Sequence, residues 1–250
     1  GYNNSDNNTA IGYQALKAVN SGASNTAVGS GALTSNTTGT QNVALGKSAM
    51  GTNTTASYNT AVGDQALLDN TTGAENVAVG HAALFENTTA SYNTALGVSA
   101  LRNNTTGHSN AAAGREALRS NTTGNYNVAV GHGALYTNTT TSWNTAVGYK
   151  AAYTYAGNEI DAFGFEALKS CTTGIRNAGF GAYTLDACTT GVYNNAFGYA
   201  ALSAVTTGRD NCAFGSQALI ANTADGNSAF GYYSGVANTT GAGNAFYGYA

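Results

Sequence analysis

Side chains able to do chemistry are few and scattered in this sequence. Three His, three Cys and twelve acidic residues are spread over 250 positions, whereas a catalytic centre needs unlike groups converging at one place. His81 and His132 fall at equivalent points of a repeat, three units apart. At sheet spacing that is roughly 14 Å, too far to share a metal, so both read as solvent-facing. Glu159 and Asp161 are the nearest approach to a carboxylate pair, beside Tyr153 and Tyr155. A solvated corner is preferred there over a binding notch. The sequence carries no nucleophile motif, phosphate loop, dinucleotide fingerprint or calcium-binding Gly-Gly-x-Gly-x-Asp nonapeptide. The expectation is a non-enzyme with no metal and no cofactor.

Two other residue sets invite a functional reading. Asn-Thr-Thr begins at Asn36, Asn53, Asn70, Asn87, Asn104, Asn121, Asn138 and Asn238, each a formal glycosylation acceptor. A corner that needs Asn and Thr for its hydrogen bonds, multiplied by repetition, accounts for all of them and is preferred. Rows of Thr would suit an ice-binding solenoid, but adjacent Thr residues point opposite ways on a strand, which weakens that alternative. Tyr58, Tyr92, Tyr126, Trp143 and Tyr193 each precede the Asn of a repeated pentad. They are the candidate contact surface for a sugar ring or a protein partner. Stacking between coils is their preferred role.

Cys171 and Cys188 each precede Thr-Thr-Gly and occupy one column of the repeat. Stacked coils would bring their Cα atoms within disulfide range, yet parallel Cβ vectors make the bond awkward. Two buried thiols in place of the usual Asn is the preferred reading. With 21 charged residues (9 basic, 12 acidic), no Pro and 42% hydrophobic residues, the chain should fold, with a surface of Asn, Thr, Ser and Tyr. A net charge of −3 gives no reason to expect nucleic acid or an anionic membrane as partner. No run is long enough for a membrane span, and no signal peptide opens the chain. It starts inside one repeat and stops just after another, as an excised piece of something longer would.

The element that must position all these residues is a strict repeat. The Gly of an Asn-x-Ala-apolar-Gly pentad recurs every 17 residues from Gly12 to Gly148, then one residue early at Gly164 and again at Gly231. Numbered from that Gly as zero, position −4 is Asn in fourteen of fifteen units, Ile160 being the exception. Position −2 is Ala in thirteen, with Gly179 and Phe246 departing. Position −1 is aliphatic through Val147 and then Phe163, Phe180, Phe197, Phe214, Phe230 and Tyr247. Seventeen residues holding an Asn-Thr-Thr-Gly turn and a second Gly leave no room for paired helices. The pattern predicts an all-β parallel β-solenoid of about fifteen coils of 16–17 residues. Each coil is expected to hold two short strands, one on the pentad and one around Ala-Leu, joined by Asn-Thr-Thr-Gly corners. Asn columns should form hydrogen-bonded ladders along the stack.

Positions −2 and −1 point to opposite faces of a strand, and both are apolar along the whole chain. One face lines the coil's own core; the other needs cover that this short repeat does not supply. Sister copies around an axis parallel to the stack would provide it, preferably as a homotrimer. Residues 1–250 read as a single array: an aliphatic segment at 1–148, an irregular coil at 149–163 and a Phe-rich segment at 164–250. Runs such as "NTAVGDQALLDNTTGAENVAVGHAAL" resemble the repeat arrays of phage and prophage-type tail fibres and the head repeats of trimeric autotransporter adhesins. The period of 17 and the Ala-Leu and Asn-Thr-Thr-Gly elements depart from the adhesin heads. The resemblance implies a trimeric fibre that is extracellular, on the cell surface or virion-associated. Its shaft would space or present a receptor-binding tip. Adhesion to glycan or another cell-surface receptor is the alternative function, and ice binding a weaker one.

Overall fold

In the computed structural model, which describes residues 7–249, each repeat winds one turn of a parallel β-solenoid. The described residues fall into two units, 7–126 and 127–249. The first holds β1 (Thr9–Ile11), β2 (Thr26–Val28), β3 (Val43–Leu45), β4 (Thr60–Val62), β5 (Val77–Val79), β6 (Thr94–Leu96) and β7 (Ala111–Ala113). The second holds β8 (Val128–Val130), β9 (Thr145–Val147), β10 (Asp161–Phe163), β11 (Ala178–Phe180), β12 (Asn195–Phe197), β13 (Cys212–Phe214), β14 (Ser228–Phe230) and β15 (Ala245–Tyr247). Within each unit consecutive strands pair in parallel, like residue over like residue, as in Ala27 over Ala44 over Ala61. The short repeat keeps this register, with Ala146 over Ala162, so its missing residue comes from a corner.

Strand parity decides what is inside. Ala at −2 and Asn at −4 point inward, and Ala44, Ala61, Asn59 and Asn76 are wholly buried. The alternating residues at −3 and −1 face outward. Only Ala fits at −2 because the coil is thin: Leu from +4 crosses it to meet the strand, and Leu33, Leu67 and Leu84 are fully enclosed. Two exceptions prove this volume limit. At Gly179, an added Cβ would lie 2.7 Å from Oγ1 of Thr184, which replaces the usual Ala at +3. At Gly235, which replaces Leu at +4, an added Cβ would lie 2.8 Å from the ring of Phe246.

The second strand expected around Ala-Leu is absent among the described residues; the segment is a run of turns. Positions +2 and +4 are left-handed, for example Gln65 at φ 57° and Leu67 at φ 53°. The N–H of +3 reaches back to the zero Gly carbonyl (Ala32 to Gly29, 3.3 Å) and that of +7 to +4 (Asn36 to Leu33, 3.2 Å). Coil-to-coil bonding nonetheless continues through this segment, as from Leu33 N to Ala49 O at 3.0 Å. A left-handed Leu costs about 1–2 kcal/mol. Full burial of its side chain contributes about 1.5–3 kcal/mol and, with that bond, offsets the strain. The zero Gly has no substitute: Gly63 has φ 135°, and a Cβ there would stand 2.6 Å from the Gly80 carbonyl oxygen.

Both expected Asn ladders are present. At −4, Asn25 Oδ1 accepts from the backbone N (3.0 Å) and Nδ2 (3.1 Å) of Asn42, whose Nδ2 also donates to Ala56 O at 2.8 Å. At +7, Asn53 Nδ2 donates to Asn36 Oδ1 (2.8 Å) and to Ala56 O (3.1 Å). Most of the buried amides are thereby satisfied by the coil before or after, the condition for placing polar groups in a core; Asn121 Oδ1 and Asn138 Nδ2 are the exceptions in the +7 column. The irregular coil breaks both ladders together. Tyr155 replaces the +7 Asn and Ile160 the −4 Asn, and both are buried. Ala152 stands where most other coils carry Leu, leaving space for the Tyr155 ring, whose hydroxyl donates to Asn158 O at 2.7 Å. Burial pushes that phenol well above its ordinary pKa. Beyond it, Cys171, Cys188 and Val205 keep the +7 column free of Asn until Asn222.

Candidate functional site

The corner residue at −5 is left-handed in every coil for which a non-Gly side chain is described there, and this turns it outward. Tyr58, Tyr92, Tyr126, Trp143 and Tyr193 have φ between 56° and 63° and are exposed. Tyr58, Tyr92 and Tyr126 lie two coils apart, too far to stack on one another. Instead Tyr126 meets His108 edge-on at 5.1 Å. Tyr193 lies 5.6 Å from the Arg176 guanidinium and accepts a 2.8 Å hydrogen bond from its Nη1.

Stacking occurs in rows that were not candidates. Along −1, the rings of Phe163, Phe180, Phe197, Phe214, Phe230 and Tyr247 lie 4.4–5.5 Å apart with planes within 7° of parallel. Tyr149 stacks on Phe165 at +1 and Tyr136 on Tyr153 at +5. The coil pitch of about 4.8 Å is close to an aromatic stacking distance, so any outward column filled with rings becomes a ladder. That arithmetic was available in the columns themselves.

Cavities open at two of the −5 aromatics. In the first unit a hollow of about 320 Å³ is lined by Thr89, Ser91, Tyr92, Thr106 and His108. In the second, one of about 350 Å³ is lined by Trp143, Glu159, Asp161, Arg176 and Asn195, with Ala178 and Asn177 beside them. Glu159 and Asp161 thus do share a hollow, but not with the tyrosines expected beside them. Tyr155 is turned into the core and Tyr153 stacks on Tyr136. Glu159 pairs instead with Arg176, Nε to Oε2 at 2.5 Å, and holds that guanidinium's pKa up. Asn195 at −3 escaped the sequence reading, and Asp161 was read only as a partner of Glu159. They stand out once that row is compared across coils, since every other coil carries Thr, Val, Ala, Cys or Ser there.

The remaining candidates are apart. His81 Nε2 lies 3.7 Å from Asp64 Oδ2, and His132 meets Tyr149 edge-on. Among the described residues no three His, Cys, Asp or Glu are grouped to hold a metal ion. Cys171 and Cys188 are buried free thiols with sulfurs 3.8 Å apart, and their mutual hydrogen bond and burial raise the Cys171 thiol. The acceptor motifs at Asn36, Asn53, Asn70, Asn87, Asn104, Asn121 and Asn138 place their amides inside the coil, out of reach of a sugar donor once folded. Asn238 is partly exposed, yet its Nδ2 donates to Asn222 Oδ1 and Gly241 O. The first Thr of the motif spends its hydroxyl on the next coil, as Thr37 Oγ1 does on Thr54 O at 3.0 Å. Only the second, such as Thr38 or Thr72, faces water.

No helix among the described residues is long and apolar enough to cross a membrane. The chain matches no protein-family model, no curated protein and no solved structure, and what stands on the page is a β-solenoid of 17-residue repeats with stacked Asn ladders and exposed aromatic rows.

Proposed function

We propose that this chain is a structural, self-associating element of an extracellular or virion-associated fibre, a shaft that spaces or presents a receptor-binding tip. The reading rests on the outward apolar row at −1. Leu45, Val79 and Leu96 in the first unit and Phe214 and Phe230 in the second remain more than a third exposed. Single exposed apolar residues are ordinary; a row with one member per coil is an interface-sized strip. Its natural occupant is a second copy of the chain. A partner must present apolar side chains at the same pitch along the whole row, and another copy does so by construction, with the closed arrangement around a parallel axis favouring a trimer. The low share of charged residues, 21 of 250, accords with a structural role.

Light scattering of the purified chain should give three times the monomer mass. Val62→Asp with Val79→Asp, both pointing outward, should lower it to one, with an unchanged far-ultraviolet spectrum. A wild-type chain that stays monomeric at tens of micromolar would overturn this reading.

A further inference from the structure

We infer that the hollow around Trp143 binds a neutral pyranose unit of a glycan, independently of self-association through the −1 row. The repeat supplies its own baseline, and the departures from it converge here. Trp143 is the only Trp of the chain, Arg176 the only cation in the −5 row, and Asp161 the only charge in the −3 row. All three line one hollow with Glu159 and Asn195. The −5 and −3 side chains are on the outward side of the coil, and the small Ala178 leaves the floor between Asp161 and Asn195 open. Those two residues stand two coils apart, roughly 9.6 Å at sheet spacing, a gap that admits one sugar ring.

The chemistry of each group selects the ligand. An exposed indole offers an apolar face to the C–H side of a pyranose. The Asp161 carboxylate and the Asn195 amide are exposed and make no side-chain hydrogen bond within the protein, so acceptors and a donor are free for ring hydroxyls. The Arg176 charge is already met by Glu159, and its Nη1 is given to Tyr193. With Asp161 the hollow therefore carries one net negative charge, which disfavours sialic and uronic acids. The −1 row lies on the far side of Asp161 and Asn195 along each strand, so a sister chain seated on it need not close the hollow.

The single Trp makes the test direct. Its emission in the intact chain is titrated with glucose-, galactose- and mannose-containing neutral disaccharides, with sialyllactose and choline chloride as contrasts. A saturable shift with at least one neutral disaccharide is expected, with a dissociation constant on the order of 1 mM, as suits one stacked ring and a few hydrogen bonds. Asp161→Thr with Asn195→Thr, which restores the residue type found at Thr145, should weaken it about tenfold or more while leaving the ligand-free emission unchanged. The proposal is overturned if no neutral sugar shifts the emission, if sialyllactose or choline binds more tightly, or if the double variant binds as well as the parent. Running the titration alongside the mass measurement keeps the two proposals apart, since a sugar-binding monomer would sink only the first and an inert trimer only the second.

Discussion

The unit at 7–126 and the unit at 127–249 wind nearly the same backbone around different interiors. The first is filled as a regular polar ladder: Asn at −4 in every coil and Asn at +7 in six consecutive ones, under aliphatic outer rows. The second breaks both ladders at Tyr155 and Ile160, runs Cys171, Cys188 and Val205 through +7, and covers its outer face with stacked rings. The contrast teaches that the solenoid tolerates either solution so long as each coil repeats the choice of its neighbours. An Asn needs an Asn above to accept from it, and a ring needs a ring above to lie on. The column, not the single residue, is what packs.

What the units share should be the most sensitive. Gly63→Ala in one and Gly198→Ala in the other both force a Cβ into the next coil's carbonyl at a φ that L-residues avoid. Each should cost about 4 kcal/mol or more, read as collapse of slow hydrogen exchange in the flanking coils. A loss below about 1 kcal/mol would remove the zero Gly from the argument for the winding. Next in size, Asn76→Ala takes the acceptor from Asn93 N and the donor from Asn59 Oδ1 and Ala90 O. Leaving those groups unpaired should cost about 3 kcal/mol. Cys188→Ala, which empties the same kind of interior without stranding an amide, should cost about 1–2 kcal/mol. Equal losses would mean that the ladder's hydrogen bonds contribute no more than volume. Smallest is Phe197→Leu, which interrupts two ring contacts at 4.7 and 4.4 Å and should cost about 1–2 kcal/mol. Val79→Phe in the aliphatic unit, with no ring to lie on, should gain less than about 0.5 kcal/mol. A gain as large as the Phe197 loss would show that ring area, rather than stacking, stabilises the row.

Much of this was legible in the letters. The period sets one coil per 17 residues, and strand alternation sends Asn and Ala inward and −1 outward. The paired Cys column reads as thiols and the missing residue at the irregular coil as a shortened corner. The failures have a common cause. Leu at +4 has no intrinsic taste for a left-handed backbone, so the Ala-Leu segment looks like a strand until the neighbouring coils are present to bond and bury it. Tyr155 looks like one more surface tyrosine until Ala152 is seen to vacate the core beside it. Tyr58, Tyr92 and Tyr126 look stackable until their two-coil spacing is set against the coil pitch.

The sequence alone determined the winding, because a repeat of one length with inward Asn, Ala and Leu has a single economical way to bring like above like. The tertiary structure alone decided which outward residues meet. Trp143, Glu159, Asp161, Arg176 and Asn195 span four coils and are gathered into one hollow by stacking, and stacking distance is a property of the folded coil rather than of separation along the chain.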